Sequence, residues 1–288
     1  MREQTMAEKL GYPPDARLLI IHCDDIGMSF EANAAVKDLL TSGIPVSCSV
    51  MIPCPWAYDF MQWYRNHPEF DVGIHVTLTS EWNTYRWRPL TGSAGLTDED
   101  GFMPKRPETV VRQATVEEVR RETAAQIQQA LDWGARPTHI DTHMGTSLAS
   151  YEFAEAYITT AREFDLPPMI LDPNPEMLAV LTEQGYDPRI VDLMKKETTP
   201  KLTTLSSTAF EETYEATKQA IYKQLENLPP GLSYFIIHPA KESDAMRTIT
   251  ASWQQRYWEY KIFMEEETRA KINELGIKLV TWSQLQAV

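Results

Sequence analysis

The sequence predicts an α/β fold with parallel strands, in one domain whose size suits a barrel. Short apolar runs recur along the chain, and most are rich in β-branched or other apolar residues, as buried parallel strands are. They cover residues 17–23, 46–51, 72–78, 138–143, 168–171, 233–238 and 277–282. The segments between them mix polar and apolar residues at helical spacing, and this alternation is typical of a parallel sheet. Since its 288 residues show no linker or repeat, we expect one domain over residues 1–288.

Capping residues mark the ends of two predicted helices. Ser29 is placed to cap a helix over residues 30–40, and Gly43 to end it. Thr115 opens a capping box before a long helix to about Trp133, and Gly134 follows it. Further helix candidates cover residues 151–164, 210–228 and 252–275, whereas the pattern between residues 171 and 209 predicts no particular element.

The segment 79–107 breaks the alternation of strands and helices. It contains three glycines and three prolines, with Trp82, Tyr85 and Trp87, and shows no sustained period. A loop of this length inside a compact domain is more often a lid or binding loop than a plain connection, so we predict an active-site loop. The three aromatic rings could stack on sugar rings or pack the loop onto the body of the protein.

The composition excludes several classes of partner. The chain has 27 Lys and Arg against 41 Asp and Glu, a formal net charge of −14. Such a surface repels nucleic acids and anionic membranes, so we expect neither as a partner. Its three cysteines, Cys23, Cys48 and Cys54, are too few and too confined for a disulfide framework or a structural zinc cluster. The sequence has no signal-peptide pattern and no transmembrane-length apolar run, which favours a cytoplasmic protein.

Ionisable residues follow four of the predicted strands at the point where each strand ends. Asp24 and Asp25 follow the first run, His75 lies near the end of the third, and His143 and His238 end two others. The carboxyl ends of parallel strands face the same way, and barrel enzymes place their chemistry there. We therefore expect these side chains to converge at one mouth.

The adjacent carboxylates Asp24 and Asp25 allow two interpretations. An isolated Asp pair is usually a turn or a helix cap. The alternative is a metal ligand beside a general base, because a cation lets both carboxylates remain ionised. The other strand ends favour the second interpretation.

The histidines are individually ambiguous and more informative together. A lone His in an apolar strand, such as His75, is more often a hydrogen-bonded core residue. In the segment His139-Ile-Asp141-Thr-His143 the two histidines can approach a common site, with Asp141 placed to orient an imidazole. The HExxH glutamate is absent, so a zincin peptidase is not supported. His238 could shuttle a proton at the mouth or bond a backbone carbonyl in the core.

The ordered set of motifs resembles the YdjC/ChbG-like carbohydrate deacetylase family, which is related to the polysaccharide deacetylases. The resemblance rests on LLIIHCDDIGMS, GIHVTL, RWRPLTG with LTDEDGFM, RPTHIDTHMG, FIIHPA, and Arg256-x-x-Glu259 followed by GIKLVTW. It covers nearly the whole chain. It implies an irregular TIM-like (β/α) barrel and an N-acetylated carbohydrate substrate.

The resemblance also implies roles for individual residues. Asp25, His75 and His143 match the metal ligands, Asp24 the general base and His238 a general acid, whereas Arg256 and Glu259 receive no catalytic role. One divalent metal ion is implied; its ligands suit zinc, with magnesium or another transition metal as alternatives. His139, Asp141, Trp82, Tyr85 and Trp87 are expected to support the site or contact substrate. Met144 and Gly145 stand where the family often has other residues, so the particular sugar is not implied.

Two other functions remain open at the level of sequence. A metal-dependent barrel hydrolase of another ester or a phosphoester could use Arg86, Arg88 and Lys241 to hold phosphate. A non-catalytic sugar-binding protein could share the scaffold, although it would need neither a base nor an acid. Trp253 and Trp258, in a late helix, are expected in the core, with a homodimer interface as the alternative.

Overall fold

A curled parallel β-sheet forms the centre of the computed structural model, which describes residues 4–183, 185, 187–209 and 211–288. The strands are β1 Arg17–Ile26, β2 Ser47–Val50, β3 Asp71–Val76, β4 Ile140–Thr142, β5 Thr204–Ser207, β6 Gly231–Ile237 and β7 Lys278–Leu279. Their order is β4-β3-β2-β1-β6-β5, with β7 paired to the beginning of β1. Every pairing is parallel. The predicted parallel α/β class is therefore confirmed.

The sheet is a curled half-barrel, and regular pairing all the way round a TIM-like barrel is not seen in the part of the chain described above. Between β4 and β5 the described residues make the isolated bridges Ile140–Pro168 and Leu171–Leu202 and no regular ladder. The run predicted over residues 168–171 accordingly forms no regular strand. Pro168, at its start, lacks the backbone donor that a continuous ladder would need.

Helices and short 3₁₀ segments cover the sheet. The helices are α1 Met6–Lys9, α2 Phe30–Thr41, α3 Ala57–Tyr64, α4 Pro107–Gln113, α5 Val116–Asp132, α6 Tyr151–Glu163, α7 Pro175–Glu183, α8 Pro188–Lys196, α9 Tyr214–Glu226, α10 Asp244–Ile249, α11 Trp253–Met264, α12 Glu266–Glu274 and α13 Trp282–Gln286. The 3₁₀ segments are Ala94–Leu96 and His143–Leu148. None of the helices in the described ranges is both long enough and apolar enough to cross a bilayer.

Both predicted caps form. The Ser29 hydroxyl accepts a hydrogen bond from the backbone N–H of Ala32 at the start of α2. Thr115 and Glu118 make a reciprocal capping box at the start of α5. Each cap satisfies backbone donors that the first helical turn would otherwise leave unpaired.

Three predictions of element boundaries were wrong or incomplete. The helix predicted over residues 252–275 divides into α11 and α12, because Glu265 between them is extended with ψ 138°. The helix predicted over 210–228 begins at Tyr214 behind the Thr213 cap, and Phe210 lies outside the described residues. The segment 171–209, for which the sequence pattern predicts no particular element, contains α7, α8 and β5.

The core lies on both faces of β1, which is why its sequence reads as an unbroken apolar run. Residues 18–21 are fully buried, and β1 pairs with β6 over seven positions. Trp258 of α11 packs against this core while remaining half-buried. Trp253 is also half-buried and joins a smaller cluster beneath the loop 79–107.

The loop 79–107 is fixed to the body of the protein by a buried carboxylate. Glu122 of α5 accepts hydrogen bonds from the backbone N–H groups of Leu90 and Thr91 and from the Thr91 hydroxyl. Trp87 is buried and donates its indole N–H to the backbone carbonyl of Thr79. The loop 79–107 is therefore packed against the body of the protein on one side of the strand ends.

Candidate metal and catalytic site

The carboxyl ends of β1, β3, β4 and β6 bring the predicted site residues to one edge of the sheet. Asp24 and Asp25 belong to the last part of β1, which continues past its predicted end to Ile26. His75 lies in β3, while His143 and His238 directly follow β4 and β6. The pairing of β1 with β2 shifts register between Cys23 and Ile26, so the strand is irregular where the Asp pair lies. Such irregularities re-aim side chains next to active sites.

Asp25, His75 and His143 form a compact buried group of possible metal ligands. Asp25 Oδ1 lies 3.2 Å from His143 Nδ1 and 3.5 Å from His75 Nε2. This oxygen is buried without a hydrogen-bond partner. Asp25 also has φ 65°, an uncommon backbone conformation for a residue other than glycine. The sequence predicted this trio, and the structure brings its members together.

The other polar atoms of the three residues are held by outer partners. Asp141 Oδ1 lies 2.7 Å from His75 Nδ1, and Glu81 Oε2 lies 3.0 Å from His143 Nε2. Arg256 Nη2 donates to Asp25 Oδ2 over 2.7 Å. One oxygen and two imidazole nitrogens are thus left facing one another, each oriented by a charged neighbour. Carboxylate and imidazole donors with such outer partners fit a divalent metal ion.

The pKa values of the three ligands reflect their close packing. Burial alone would raise the pKa of Asp25, but the Arg256 guanidinium and the two imidazoles hold it well below its ordinary value. Burial likewise opposes the charged form of His143, yet Glu81 and Asp25 raise its pKa to about 9. Asp141 and Asp24 raise the pKa of His75. Without a metal ion the cluster therefore holds protons on imidazoles that a metal ion would have to displace.

Asp24 lies beside this group and differs from Asp25 in its surroundings. Its Oδ2 lies 3.8 Å from His75 Nε2 and 4.0 Å from His238 Nε2, and its Oδ1 has no hydrogen-bond partner. Burial raises the pKa of Asp24 to about 7, with Asp141 and Asp25 adding to the effect and His75 and His22 opposing it. Two adjacent carboxyls with pKa values pushed apart are a common arrangement for acid–base chemistry.

His238 is positioned through its backbone and stays neutral. Its N–H donates to Glu259 Oε2 over 2.7 Å, and Gln255 in turn donates to Glu259 Oε1. Burial lowers the pKa of His238 to about 3, and the neighbouring cation of Arg256 adds to this shift. The His238 imidazole is therefore uncharged near neutral pH.

Asp141 is the hub of a polar network beneath the candidate metal ligands. His22 Nε2 lies 2.9 Å from Asp141 Oδ2, and the Ser49 hydroxyl donates to the same oxygen over 2.8 Å. Ser49 also lies 3.0 Å from His22 Nε2 and 3.1 Å from His75 Nδ1. This network supports the predicted orienting role of Asp141.

His139 lies apart from the Asp25, His75 and His143 trio. Its ring stacks on Trp282 at 4.9 Å and packs against the backbone of Gly73. Burial lowers its pKa, so it is neutral. Of the two histidines in the HxDxH motif, His143 therefore lies with Asp25 and His75, whereas His139 lies in the core.

The aromatic residues of the loop favour packing over sugar stacking. Trp82, Tyr85 and Trp87 contact one another with ring centroids 5.5–6.3 Å apart. Trp87 is only 2% exposed, so its ring is closed to a substrate. Tyr85 is half-buried and donates to the backbone carbonyl of Met28. Trp82 is half-buried, with Arg256 over its ring at 5.8 Å, and remains a candidate substrate contact.

Several residues at the site were missed or left without a role by the sequence analysis. His22 could have been found, because it lies two positions before Asp24 and shares its face of β1. Arg256 was noted without a role, and it bonds Asp25 from α11, 231 positions away in the chain. Glu81 and Ser49 carried no recognisable signal. Only the folded chain brings them to His143 and His75.

Comparison with known proteins finds a family model that matches most of the chain. The family described as "YdjC-like protein" matches residues 18–274. The chain belongs to the YdjC-like family. A Thermus thermophilus protein named carbohydrate deacetylase is 34% identical over 272 residues, 93% of this chain and 94% of its own length. A Thermoanaerobacter pseudethanolicus protein of the same name is 24% identical over 94% of this chain and 100% of its own.

A solved structure shows the same fold. An Enterococcus faecalis protein, named for cellobiose-phosphate cleavage, superposes with a TM-score of 0.76 at 22% identity. The match covers 94% of this chain and 99% of that one. The fold described above is therefore shared with another solved protein over nearly the whole length of both chains.

Proposed function

We propose that this protein is a metal-dependent carbohydrate N-deacetylase that hydrolyses the N-acetyl amide of an amino sugar or oligosaccharide and releases acetate. The observation that carries the proposal is the buried Asp25, His75 and His143 group with Asp24 at its side. Relatives named carbohydrate deacetylase that match over 93–94% of the chain support it. An irregular TIM-like (β/α) barrel in a single domain remains part of the proposal.

Asp25, His75 and His143 would hold the metal ion, with zinc as the first expectation and magnesium or another transition metal as alternatives. When bound, the ion would supply a Lewis acid that polarises the amide carbonyl and offsets the negative charge of the transition state. Arg256, Asp141 and Glu81 keep the three ligands in place through the contacts described above. The chain thus provides both the ligands and the groups that orient them.

Asp24 would take a proton from the attacking water. Its pKa of about 7 leaves it ionised often enough to act near neutral pH and able to keep the proton that it takes. Its buried Oδ1 has no hydrogen-bond partner and can accept that proton. His238 Nε2, 4.0 Å from Asp24 Oδ2, would protonate the departing amine. Because His238 is neutral at rest, the proton that it delivers would first be relayed from Asp24.

Two of the three cations that the sequence offered the phosphoester alternative already pair with carboxylates. Arg86 Nη1 lies 2.7 Å from Asp98, and Lys241 Nζ lies 2.7 Å from Asp38. The Arg88 guanidinium stacks over Phe102 at 4.8 Å. At the cluster itself Arg256 is committed to Asp25. A doubly charged phosphate would therefore meet carboxylates and compete with them for Arg86, Lys241 and Arg256, whereas a neutral amide carries no such penalty.

The proposal is tested by acetate release from a panel of N-acetylated oligosaccharides, with phosphate release from sugar phosphates as the parallel assay. We expect acetate release that stops after chelation and returns when divalent metal is restored. Phosphate release without acetate release would favour the phosphoesterase, and sugar binding without either product would favour a non-catalytic binder.

A further inference from the structure

An apolar cavity of about 390 Å³ lies among α7, β5 and the segment after β4. Its walls are mostly aliphatic and thioether side chains, among them Met169, Met177, Met194 and Leu205. Glu176 is the one charged residue on these walls within the described ranges. The volume falls inside the range of about 300–1,000 Å³ that is usual for small-molecule sites.

Three residues on the cavity walls are near neighbours in sequence of residues of the candidate metal site. Thr142 on its wall directly precedes the proposed ligand His143, and Gly145 follows two positions later. Ile236 on another wall lies two positions before His238. Gly145 has φ 65° and no side chain, so only backbone forms the wall at that position. The walls therefore include the carboxyl ends of β4 and β6, from which His143 and His238 also come.

The chemistry of the walls selects an aliphatic occupant. A sugar ring would need several hydrogen-bond partners, and the walls offer only threonine hydroxyls and Glu176. Burying hydroxyls without partners is unfavourable, whereas burying methylenes is favourable. Three methionines make the walls adaptable, because thioether side chains fill irregular spaces well.

We infer that this cavity binds an aliphatic chain carried by the amino-sugar substrate. The inference rests on the proposed function for its substrate and deepens it: the preferred substrate is an amphiphilic amino sugar. The chain could be an acyl group on nitrogen or an alkyl group on the anomeric oxygen. Both sources present the same methylene chain to the cavity, and separate arms of the test distinguish them.

Binding is tested first, with probes that cannot be deacetylated. Octyl β-glucoside, kept below its micelle concentration, is compared with methyl β-glucoside by calorimetry on the full chain. Each buried methylene should tighten binding about fourfold, so burial of only a few predicts at least a tenfold preference for octyl. Equal affinity of the two probes would overturn the inference.

Variants of α7 and β5 locate the binding. Val180 lines the cavity and is 43% exposed, so Val180→Trp should fill the space without unfolding the helix. Ala179→Trp, at the exposed neighbouring position outside the cavity wall, is the matched control. Leu205→Phe fills the space from β5 as a second variant. We expect Val180→Trp and Leu205→Phe to weaken octyl binding at least tenfold while Ala179→Trp does not; unchanged binding in both cavity variants contradicts the inference.

Turnover distinguishes the two attachment points. Octyl and methyl N-acetylglucosaminides form one pair, and N-octanoyl- and N-acetylglucosamine form the other. A tenfold or larger kcat/KM preference for the long chain in either pair supports the inference and identifies where the chain is attached; no preference in both overturns it. Acetate release from the short-chain substrates reports on the proposed function alone, so the two can fail separately.

Discussion

Asp24 and Asp25 are adjacent and similarly buried, yet their pKa values are shifted in opposite directions. The difference lies in their neighbours, because the Arg256 guanidinium reaches Asp25 at 2.7 Å whereas Asp24 faces three imidazoles at 3.4–4.0 Å. A full positive charge at hydrogen-bonding distance outweighs the desolvation of one carboxyl. At Asp24 desolvation prevails and the pKa rises to about 7. One is thereby suited to hold a cation and the other to exchange a proton.

The role of Asp24 leads to the first prediction. Asp24→Asn keeps the shape of the side chain but removes the proton acceptor, so kcat for acetate release should fall by about 10²–10⁴-fold. Metal content, measured by atomic emission, should stay near one ion per chain. Asp15→Asn, at an exposed position, is the control and should retain full activity. An Asp24→Asn protein with full turnover would show that the base has been wrongly assigned.

A second prediction concerns pH and the proton on His143. Because its pKa in the metal-free protein is about 9, this imidazole carries a proton at pH 6–8 that a metal ion must displace. Affinity should therefore rise with pH by at least about tenfold per pH unit, because the proton on His143 is displaced and the raised pKa of His75 supplies a second proton. Competition against a chelator of known affinity measures the slope. Metal affinity that does not change between pH 6 and 8 would mean that His143 Nδ1 is not a ligand.

At the scale of elements, the turn between β1 and α2 is packed closely against two helices. Gly27 has φ 89°, and a Cβ at this position would lie 2.9 Å from the backbone Cα of Ala57 at the start of α3. Its N–H donates to Asn33 Oδ1 in α2, and its carbonyl accepts from Trp56 N–H before α3. This glycine thus allows two helices to approach the end of β1 closely.

Substitution of Gly27 provides the third prediction. Gly27→Ala introduces both backbone strain and a clash with Ala57. Gly43→Ala is the matched control, since Gly43 has φ 85° but no atom within 4 Å of an added Cβ. We expect Gly27→Ala to lower the free energy of unfolding by ~1–3 kcal/mol more than the control, measured by urea denaturation. Equal losses for the two variants would mean that α3 moves away without cost.

For the whole molecule, the candidate metal site joins strands that are distant in the chain. Asp25, His75 and His143 come from different strand ends, and Arg256 adds α11 to the same cluster. An ion bound only by the folded chain stabilises the entire fold by mass action. Thermal stability therefore reports on metal binding independently of catalysis.

The fourth prediction uses this coupling. Metal at a hundredfold excess over its dissociation constant should stabilise the protein by about 2.7 kcal/mol, seen as a rise in Tm. His143→Ala should abolish the rise because a ligand is lost. His67→Ala is the control, since His67 stacks on Trp63 away from the cluster and should leave the metal-dependent shift unchanged. A full metal-dependent rise in Tm for His143→Ala would show that the metal ion binds elsewhere.

Local patterns in the amino-acid sequence predict the parallel α/β class, most strand positions, the caps of α2 and α5, and the residues that meet at the strand ends. Local rules suffice for these features, because apolar runs specify buried strands and parallel strands bring their carboxyl ends together. The folded chain is needed to see that Arg256 neutralises Asp25, that Glu81 holds His143 and that Trp87 is buried. The same is true of the isolated bridges that the described residues form between β4 and β5. These depend on contacts between residues far apart in the chain and on which side chains lose access to water. No local pattern of residues carries that information.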